Sequence, residues 1–529
     1  MGKLSLRWKR VLETHVPYGA VFGLYSFHKF IYLLAAHELT PGISAAEYRE
    51  RRQRLAALLP PGGVAILPAA GVSYMSGAIP WPYRQDPDFM YLTGINQRGV
   101  ALITAAQSGR PEEHRYTLFI DPPNTTRDRW DGASLTRDAA LPRRLHAQAA
   151  NPSGPPLLHD PDRPGAHHGH HIAAALRPAS QQPGRLAPLR PLLHSMRLVK
   201  SKAEAALMQT SAALASSAVA HCMAASAPGV TEYGIAAAFE YGVKAGGAQR
   251  LAYPSVVAGG PDACTTHYSR ADKVLRAGQL VLMDAGCEYW GYVSDVTRTW
   301  PVGGRFSGPQ RDVYELVLEV HQRCLATCRP GSSIRELHAL SCEMLSDGIR
   351  QLRLLPGASA EEIRRNGYRE FFWHSLGHYL GMDTHDTSLV GYDRKLEAGN
   401  VITVEPGLYI PDLPQFGPYR GIGVRIEDDV LLTVQGCAVL SDQAPVAVSA
   451  VEELVGSALA AGATPRLPLP PRLEVAAHRR LAEPPPPYAD HGSAVPIVAP
   501  PPPPAESEAP SRAAAFAASA PASAAAAAT

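Results

Sequence analysis

The chain has no run of 18 uncharged apolar residues, the minimum for a helix that crosses a membrane. Pro17, His28 and Lys29 interrupt its best candidate, around Val16 to Ala36, so stable membrane insertion is not expected. Cysteine is scarce: the seven present, an odd number, all fall between Cys222 and Cys437. That gives no disulfide framework and favours a reducing compartment. An excess of one charge is missing too, with 50 Lys and Arg against 48 Asp and Glu and a formal net charge of +2, which argues against a general nucleic-acid or membrane-surface binder. Beyond about Ser457, Pro and Ala dominate, as in LPLPPRL and EPPPPYAD. That composition cannot bury enough apolar surface to fold alone, so 457–529 is expected to be a disordered tail.

A chain of 529 residues is too long for one ordinary core and predicts two domains with extensions. The first ten residues carry Lys3, Arg7, Lys9 and Arg10 with no acid before Glu13, which fits an organelle presequence or a disordered extension over 1–39. From Thr40 a helix bearing Tyr48, Leu55, Leu58 and Leu59 leads into a strand at Val64 to Leu67, with further strands at Gly99 to Thr104 and Arg115 to Ile120. These elements predict an α/β amino-terminal domain over 40–195. Arg84, Asp86 and Asp88 read as loop-capping and salt-bridging residues rather than a second catalytic cluster. About 140–190 the text becomes rich in Pro, Arg and Ala, and an irregular insertion is expected. Its tract HDPDRPGAHHGHH (His159, His167, His168, His170, His171) reads as a solvated low-complexity loop, with adventitious metal binding as the alternative.

A second domain, 196–456, opens at Ser201, where SKAE forms a capping box with Glu204 and starts a long helix that stops at Pro228 and Gly229. A second helix follows from Thr231. The order recurs about a hundred residues later: SGPQ from Ser307, a stop at Pro330 and Gly331, then SIRE from Ser333. Each helix pair leads to an acidic hairpin, which suggests an internal duplication. Asp284 and Asp295 lie in VLMDAGCEYWGYVSDVTRTW, whose halves read as strands paired around Tyr289 to Gly291. Glu405 and Glu427 lie in VITVEPGLYI and GIGVRIEDDV, joined by PDLPQFGPYR. Residues equidistant from a turn stand opposite one another on one face, so each hairpin is expected to offer two carboxylates. Four buried carboxylates resist ionising together without a cation. A divalent metal pair answers that need, and oxygen ligands with one imidazole suit Mn, Co, Zn or Fe. The imidazole is sought in HSLGHYLGMDTH, with His374, His378 and His385.

Taken in order with their flanks, DAG, SDVTRTWPV, HSLGHYLGMDTHD, TVEPGLYI and RIEDD resemble the five-ligand site of the M24 metallopeptidases. TPGISAAEYRERR, PYRQDPDFMYLTG and DAGCEYWGYVSDVTRTWPVGGRFS are similar to the aminopeptidase P family, its mitochondrial branch in particular. The resemblance spans about residues 38 to 455, with 140–190 departing from it. It implies an amino-terminal α/β domain followed by a pita-bread catalytic domain, an α/β (α+β) fold with pseudo-twofold duplication. It also implies two divalent ions, first of all Mn2+, with Co2+, Zn2+ or Fe2+ as alternatives. Asp284 would hold one ion, Asp295 and Glu427 would bridge both, and His378 with Glu405 would hold the other. Glu405 would also accept a proton, while His267, His374 and His385 would face the substrate. Arg425 would orient a ligand carboxylate, and Tyr409 would donate into the site.

The implied activity is removal of the first residue from peptide or protein N-termini, preferentially ahead of proline, with a mitochondrial location and, as alternatives, plastid or cytoplasm. No nucleic-acid partner is implied, and homo-oligomer formation is left open. The rival readings are a prolidase acting on Xaa-Pro dipeptides and an inactive peptidase-fold binding protein.

Overall fold

The computed structural model describes residues 34–120, 149–151, 154–160 and 169–460. The expected presequence through residue 33, His167 and His168, and the tail from 461 onward lie outside the described residues. Among the described residues no helix is long and apolar enough to cross a membrane.

The amino-terminal part begins with α1 (Ala45–Leu58), which starts where the Ser44 hydroxyl accepts the Glu47 N–H. Its buried face carries Tyr48, Leu55 and Arg51, and the Arg51 guanidinium lies over the Tyr48 and Tyr91 rings. A five-stranded mixed sheet follows, built from β1 (Val64–Pro68), β2 (Val100–Thr104), β3 (Arg115–Phe119), β4 (Leu157–Leu158) and β5 (Leu186–Ala187), in the order β3-β2-β1-β4-β5. Three helices complete it: α2 (Pro87–Thr93), α3 (Gly169–Ser180) and α4 (Arg190–Arg197). Asp86 caps α2 and Asp88 pairs with Arg197, the structural roles expected of both.

Within about 140–190, where an irregular insertion is expected, the described residues include two strands and a helix. β4 and β5 extend the sheet in parallel beside β1, and α3 buries Ile172, Ala175, Leu176 and Ala179 in the cluster formed by Val64, Ile66, Val100 and Leu102. Two-residue strands are too short to show a period, and α3 has a proline, Pro178, inside it. His159 is buried with Nδ1 3.3 Å from the Ile66 carbonyl, so it does not sit in a solvated loop. His170 and His171 lie exposed on the first turn of α3.

The carboxy-terminal part has two halves, each a helix pair followed by short strands. Its first half is α5 (Lys202–Ala225) and α6 (Glu232–Ala245), then β6 (Val256–Gly259), β7 (Leu280–Ala285), β8 (Cys287–Tyr289), β9 (Tyr292–Val293) and β10 (Val296–Pro301). Its second half is α7 (Gly308–Thr327) and α8 (Ile334–Gln351), then β11 (Val401–Val404), β12 (Gly407–Tyr409), β13 (Gly423–Arg425), β14 (Asp428–Thr433) and β15 (Gly436–Val439). The closing helix α9 (Val448–Ala460) runs past the expected limit at 456. Ser201 and Ser307 form the capping boxes read from the sequence, and Ser333 caps α8. The helices cover one side of the strands, where Phe239, Trp300, Val313, Tyr314, Val404 and Val430 share a single core. Trp300 places its indole N–H 2.9 Å from the Ser226 hydroxyl, which satisfies the one polar group on that buried ring. Ser307→Ala removes the acceptor for the Gln310 N–H, and urea unfolding is expected to show a loss of about 1 kcal/mol.

The halves meet along a seam. Thr297 on β10 bridges to Glu427, whose N–H donates to the Thr297 carbonyl at 3.0 Å. The Thr299 hydroxyl donates to the Arg425 carbonyl at 3.0 Å. Beside this seam runs Arg298, 1 % exposed, which donates to the carbonyls of Thr297, Glu427 and Ala444 and to Asp428.

Candidate functional site

The second hairpin follows the register expected of it. Val404 pairs with Asp428, and beyond the junction Gly407 pairs with Arg425, so Glu405 and Glu427 lie directly across from one another. The first hairpin does not: Thr297, not Asp295, stands opposite Asp284. Asp295 is two residues along, beyond the Ala285–Val296 pair. It therefore shares the face of Asp284 as a diagonal neighbour, two residues along the strand from Thr297. The extra offset comes from the short β8–β9 tip, which sets the turn between Tyr289 and Tyr292.

Around this face the structure brings together the residues read from the sequence. Ligand atoms of Asp295, His378 and Glu427 lie within 4.8 Å of one another, and all three residues are buried. His378 Nε2 is 3.5 Å from Asp295 Oδ2 and 3.6 Å from Glu405 Oε1. Asp284 stands one step out, its carboxylate paired with Arg425 Nη2. His378 arrives on an irregular loop docked on β11, where its N–H donates to the Thr403 hydroxyl at 3.1 Å. Gly377 makes this approach feasible, because a Cβ there would lie 2.0 Å from the Thr403 carbonyl oxygen.

The charges explain what the site attracts. Burial, and then Asp295, Glu405 and Asp284, push the Glu427 carboxyl well up. Asp284 is raised by burial despite Arg425. Glu405 is pushed up to about 7, by burial first and by Asp295 and Asp284 against the pull of His378 and Arg425. Burial alone would lower His378, yet the Asp295 and Glu405 carboxylates hold it up to about 9. The cluster thus draws a proton onto its single imidazole, and buried carboxylates in this density call for a cation. Four carboxylates and one imidazole form an oxygen-rich donor set of the kind that takes divalent ions, so the residues fit a metal pair.

The other expected residues frame this cluster. Arg425, 1 % exposed, orients Asp284 and also reaches the Tyr409 hydroxyl at 2.8 Å and the Thr297 hydroxyl at 3.1 Å. His374 Nδ1 lies 2.8 Å from the Ser375 carbonyl, so it carries the proton and Nε2 accepts from the Tyr409 hydroxyl at 2.8 Å. Burial and Arg425 lower His374 to about 3, which keeps it neutral. The His385 and His378 rings meet edge to face with centroids 4.4 Å apart. It is depressed by burial and by the charge of His378. His267 is exposed and close enough to add to the depression of both His374 and His385.

Sequence reasoning missed several partners. The Tyr253 hydroxyl contacts both Asp284, at 2.6 Å, and Asp295; it lies outside both hairpins, where no local pattern marks it. The Thr297 hydroxyl donates to Glu427 at 2.5 Å, and Asp429 accepts the Asp295 N–H at 3.1 Å. Those two were within reach of the period-2 alternation that places Asp295 with Thr297 and Glu427 with Asp429 on shared faces. Trp373, half exposed, stacks on Tyr409 and donates to Thr266 at the rim.

Comparison with known proteins gives the same architecture. Residues 206–434 match metallopeptidase family M24, and residues 48–153 match the aminopeptidase P N-terminal domain. Over 440 residues the chain is 40% identical to the mitochondrial intermediate cleaving peptidase 55 of Arabidopsis thaliana, covering 80% of this chain and 86% of that protein. It is 33% identical over 452 residues to human Xaa-Pro aminopeptidase 3, covering 81% and 89%. Among solved structures, the low-pH form of aminopeptidase P from E. coli superposes with a TM-score of 0.72 at 33% identity, covering 79% of this chain and 99% of that one. A zinc-substituted form of the E. coli enzyme in complex with product gives 0.73 at 33% identity, with the same coverage.

Proposed function

The chain belongs to metallopeptidase family M24, in its aminopeptidase P branch, and is a metal-dependent aminopeptidase; from that premise we propose that the seam between its two acidic hairpins is the active centre. It releases the N-terminal residue from peptides or proteins, with Xaa-Pro starts preferred. The proximity of Asp295, His378 and Glu427, with ligand atoms within 4.8 Å, carries this placement. Asp284, Asp295, His378, Glu405 and Glu427 would hold two divalent ions, which supply Lewis acidity and activate water toward a peptide carbonyl. We assign Mn2+ as the native metal on the oxygen-rich donor set. We set the boundary between the two domains at 197, the end of α4, two residues past the expected 195, and the end of the catalytic domain at 460, the end of α9, in place of 456.

The protein's own groups supply the remaining steps. Glu405, 3.6 Å from His378 Nε2 at the edge of the carboxylate cluster, is placed to take a proton from the attacking water and pass it on. Tyr253, Arg425 and Thr297 fix the carboxylate oxygens by hydrogen bonds. That leaves the acids little freedom to follow the substrate. His267 and His385 offer N–H donors to the substrate amide and to the oxygen on which charge develops. His374, whose two ring nitrogens are both engaged by Ser375 and Tyr409, lines the site as a neutral group that does not compete for the cations. Trimming of imported proteins in mitochondria is the proposed physiological use, by similarity to the Arabidopsis enzyme.

A direct test compares Xaa-Pro dipeptides with Xaa-Pro tripeptides and longer peptides. The aminopeptidase reading expects the longer substrates to be cleaved at the first bond. Turnover confined to dipeptides would make the protein a prolidase.

A further inference from the structure

His385 stands on the loop 381–386, and much of what holds this loop comes from the amino-terminal side of the molecule. Arg84 places Nε 2.6 Å from Glu288 at the hairpin tip, Nη2 2.7 Å from the Met382 carbonyl, and both Nη1 and Nη2 3.2 Å from Asp383. Arg197, at the end of α4, places Nη1 2.7 Å from Asp88 of α2 and Nη2 3.0 Å from Asp383, and contacts Asp386 as well. Lys200 adds its ammonium 3.3 Å from the other Asp386 oxygen. The loop is drawn tight at Gly381, where a Cβ would fall 2.3 Å from the Asp386 carboxylate, and the Gly381 carbonyl accepts from the Val293 N–H of the hairpin tip at 2.9 Å. Asp386 directly follows His385, so both ends of a short segment that carries a site-facing imidazole are pinned by cations.

We propose that Arg84 and Arg197 form a clamp by which the amino-terminal domain positions His385 over the catalytic face, a role that rests on the reading of His385 as substrate-facing. These ion pairs, part-exposed at Arg84 and buried at Arg197 with Asp88 and Asp386, add little net stability, while loss of one partner of a buried pair leaves charge stranded. Their effect here is geometric. Displacement of a positioned group by about 1 Å costs up to about a hundredfold in rate, and the clamp is the set of contacts that prevents it. Arg84 and Arg197 are positioning residues, acting through His385 without touching the reacting atoms. Of the two, Arg84 is the one to alter, because its side chain is 38% exposed against 3% for Arg197.

The test uses the full-length, metal-loaded protein as wild type, Arg84→Ala, His385→Ala and the double variant, assayed on an Xaa-Pro tripeptide, with amide hydrogen exchange followed over residues 379–386. The clamp predicts that Arg84→Ala lowers kcat about tenfold with KM changed by less than about twofold and speeds exchange in that segment. In the double variant it adds no further loss to that of His385→Ala. Unchanged kcat and exchange in Arg84→Ala, or losses that multiply in the double variant, would overturn it. Should Arg84→Ala lose its fold or metal, Asp88→Asn loosens the clamp from the opposite side and is judged by the same readings. If His385→Ala alone is fully active, the proposal falls together with the substrate-facing reading; if His385→Ala is impaired and Arg84→Ala is not, the clamp alone falls.

Discussion

Replacing Asp295 or His378 by alanine is expected to lower peptide cleavage by at least about a thousandfold, since several kcal/mol of transition-state stabilisation by bound cations is lost. Both side chains are buried within the cluster that includes Glu427. Asp295→Ala removes one of the carboxylates whose repulsion raises Glu427, Glu405 and Asp284. The metal-free variant should therefore melt no lower than metal-free wild type, and Tyr253 keeps its bond to Asp284. Elemental analysis should find fewer than two divalent ions per chain in either variant. Full activity with intact metal content would remove both residues from the site.

Arg298→Ala is the substitution expected to cost most in stability. The guanidinium is 1 % exposed and donates to Asp428 at 2.7 Å and to the carbonyls of Glu427 at 2.6 Å, Thr297 at 3.0 Å and Ala444 at 3.0 and 3.1 Å. Burial would raise Asp428, but Arg298 and His321 together hold it down to about 2, so it is ionised in the fold. Without Arg298 that buried carboxylate keeps only His321, at 3.2 Å, and the Ser441 hydroxyl, at 2.6 Å. A loss of about 3–5 kcal/mol in denaturant unfolding is expected. Because the same guanidinium ties Thr297 to Glu427 across the seam, metal affinity should fall with stability. A change below about 1 kcal/mol would mean that the seam is held by its other bonds, those of Thr297 and Thr299 to Glu427 and Arg425.

The helix caps at Ser201, Ser307 and Ser333 were legible because capping is local: the hydroxyl, its acceptor geometry and the residue three positions on are all in one stretch of text. The second acidic hairpin was legible for a similar reason, since its register carries straight through from Val404–Asp428 to Gly407–Arg425. The first hairpin misled by two residues, because the tip at Tyr289–Tyr292, and not the position of the acids, sets the pairing. Tyr253 was invisible because its partners are 31 and 42 residues away, with nothing nearby to mark it. Leu157–Leu158 and Leu186–Ala187 were missed because a two-residue strand gains its identity from the edge it completes. Arg84 and Arg197 read correctly as ion-pairing or passed unremarked, yet their partners Met382, Asp383 and Asp386 lie about 200 to 300 residues along the chain, a relation that only the fold reveals.

The measurement that bears most directly on the metal-dependent aminopeptidase is mass spectrometry of the products from a peptide set varied at positions one and two. The protein would be stripped with chelator and reloaded in parallel with Mn2+, Co2+ or Zn2+. Release of the first residue only, fastest where proline is second, silent in the stripped protein and restored by metal, is the predicted result. Internal cleavage, or release that persists undiminished after stripping, would contradict it.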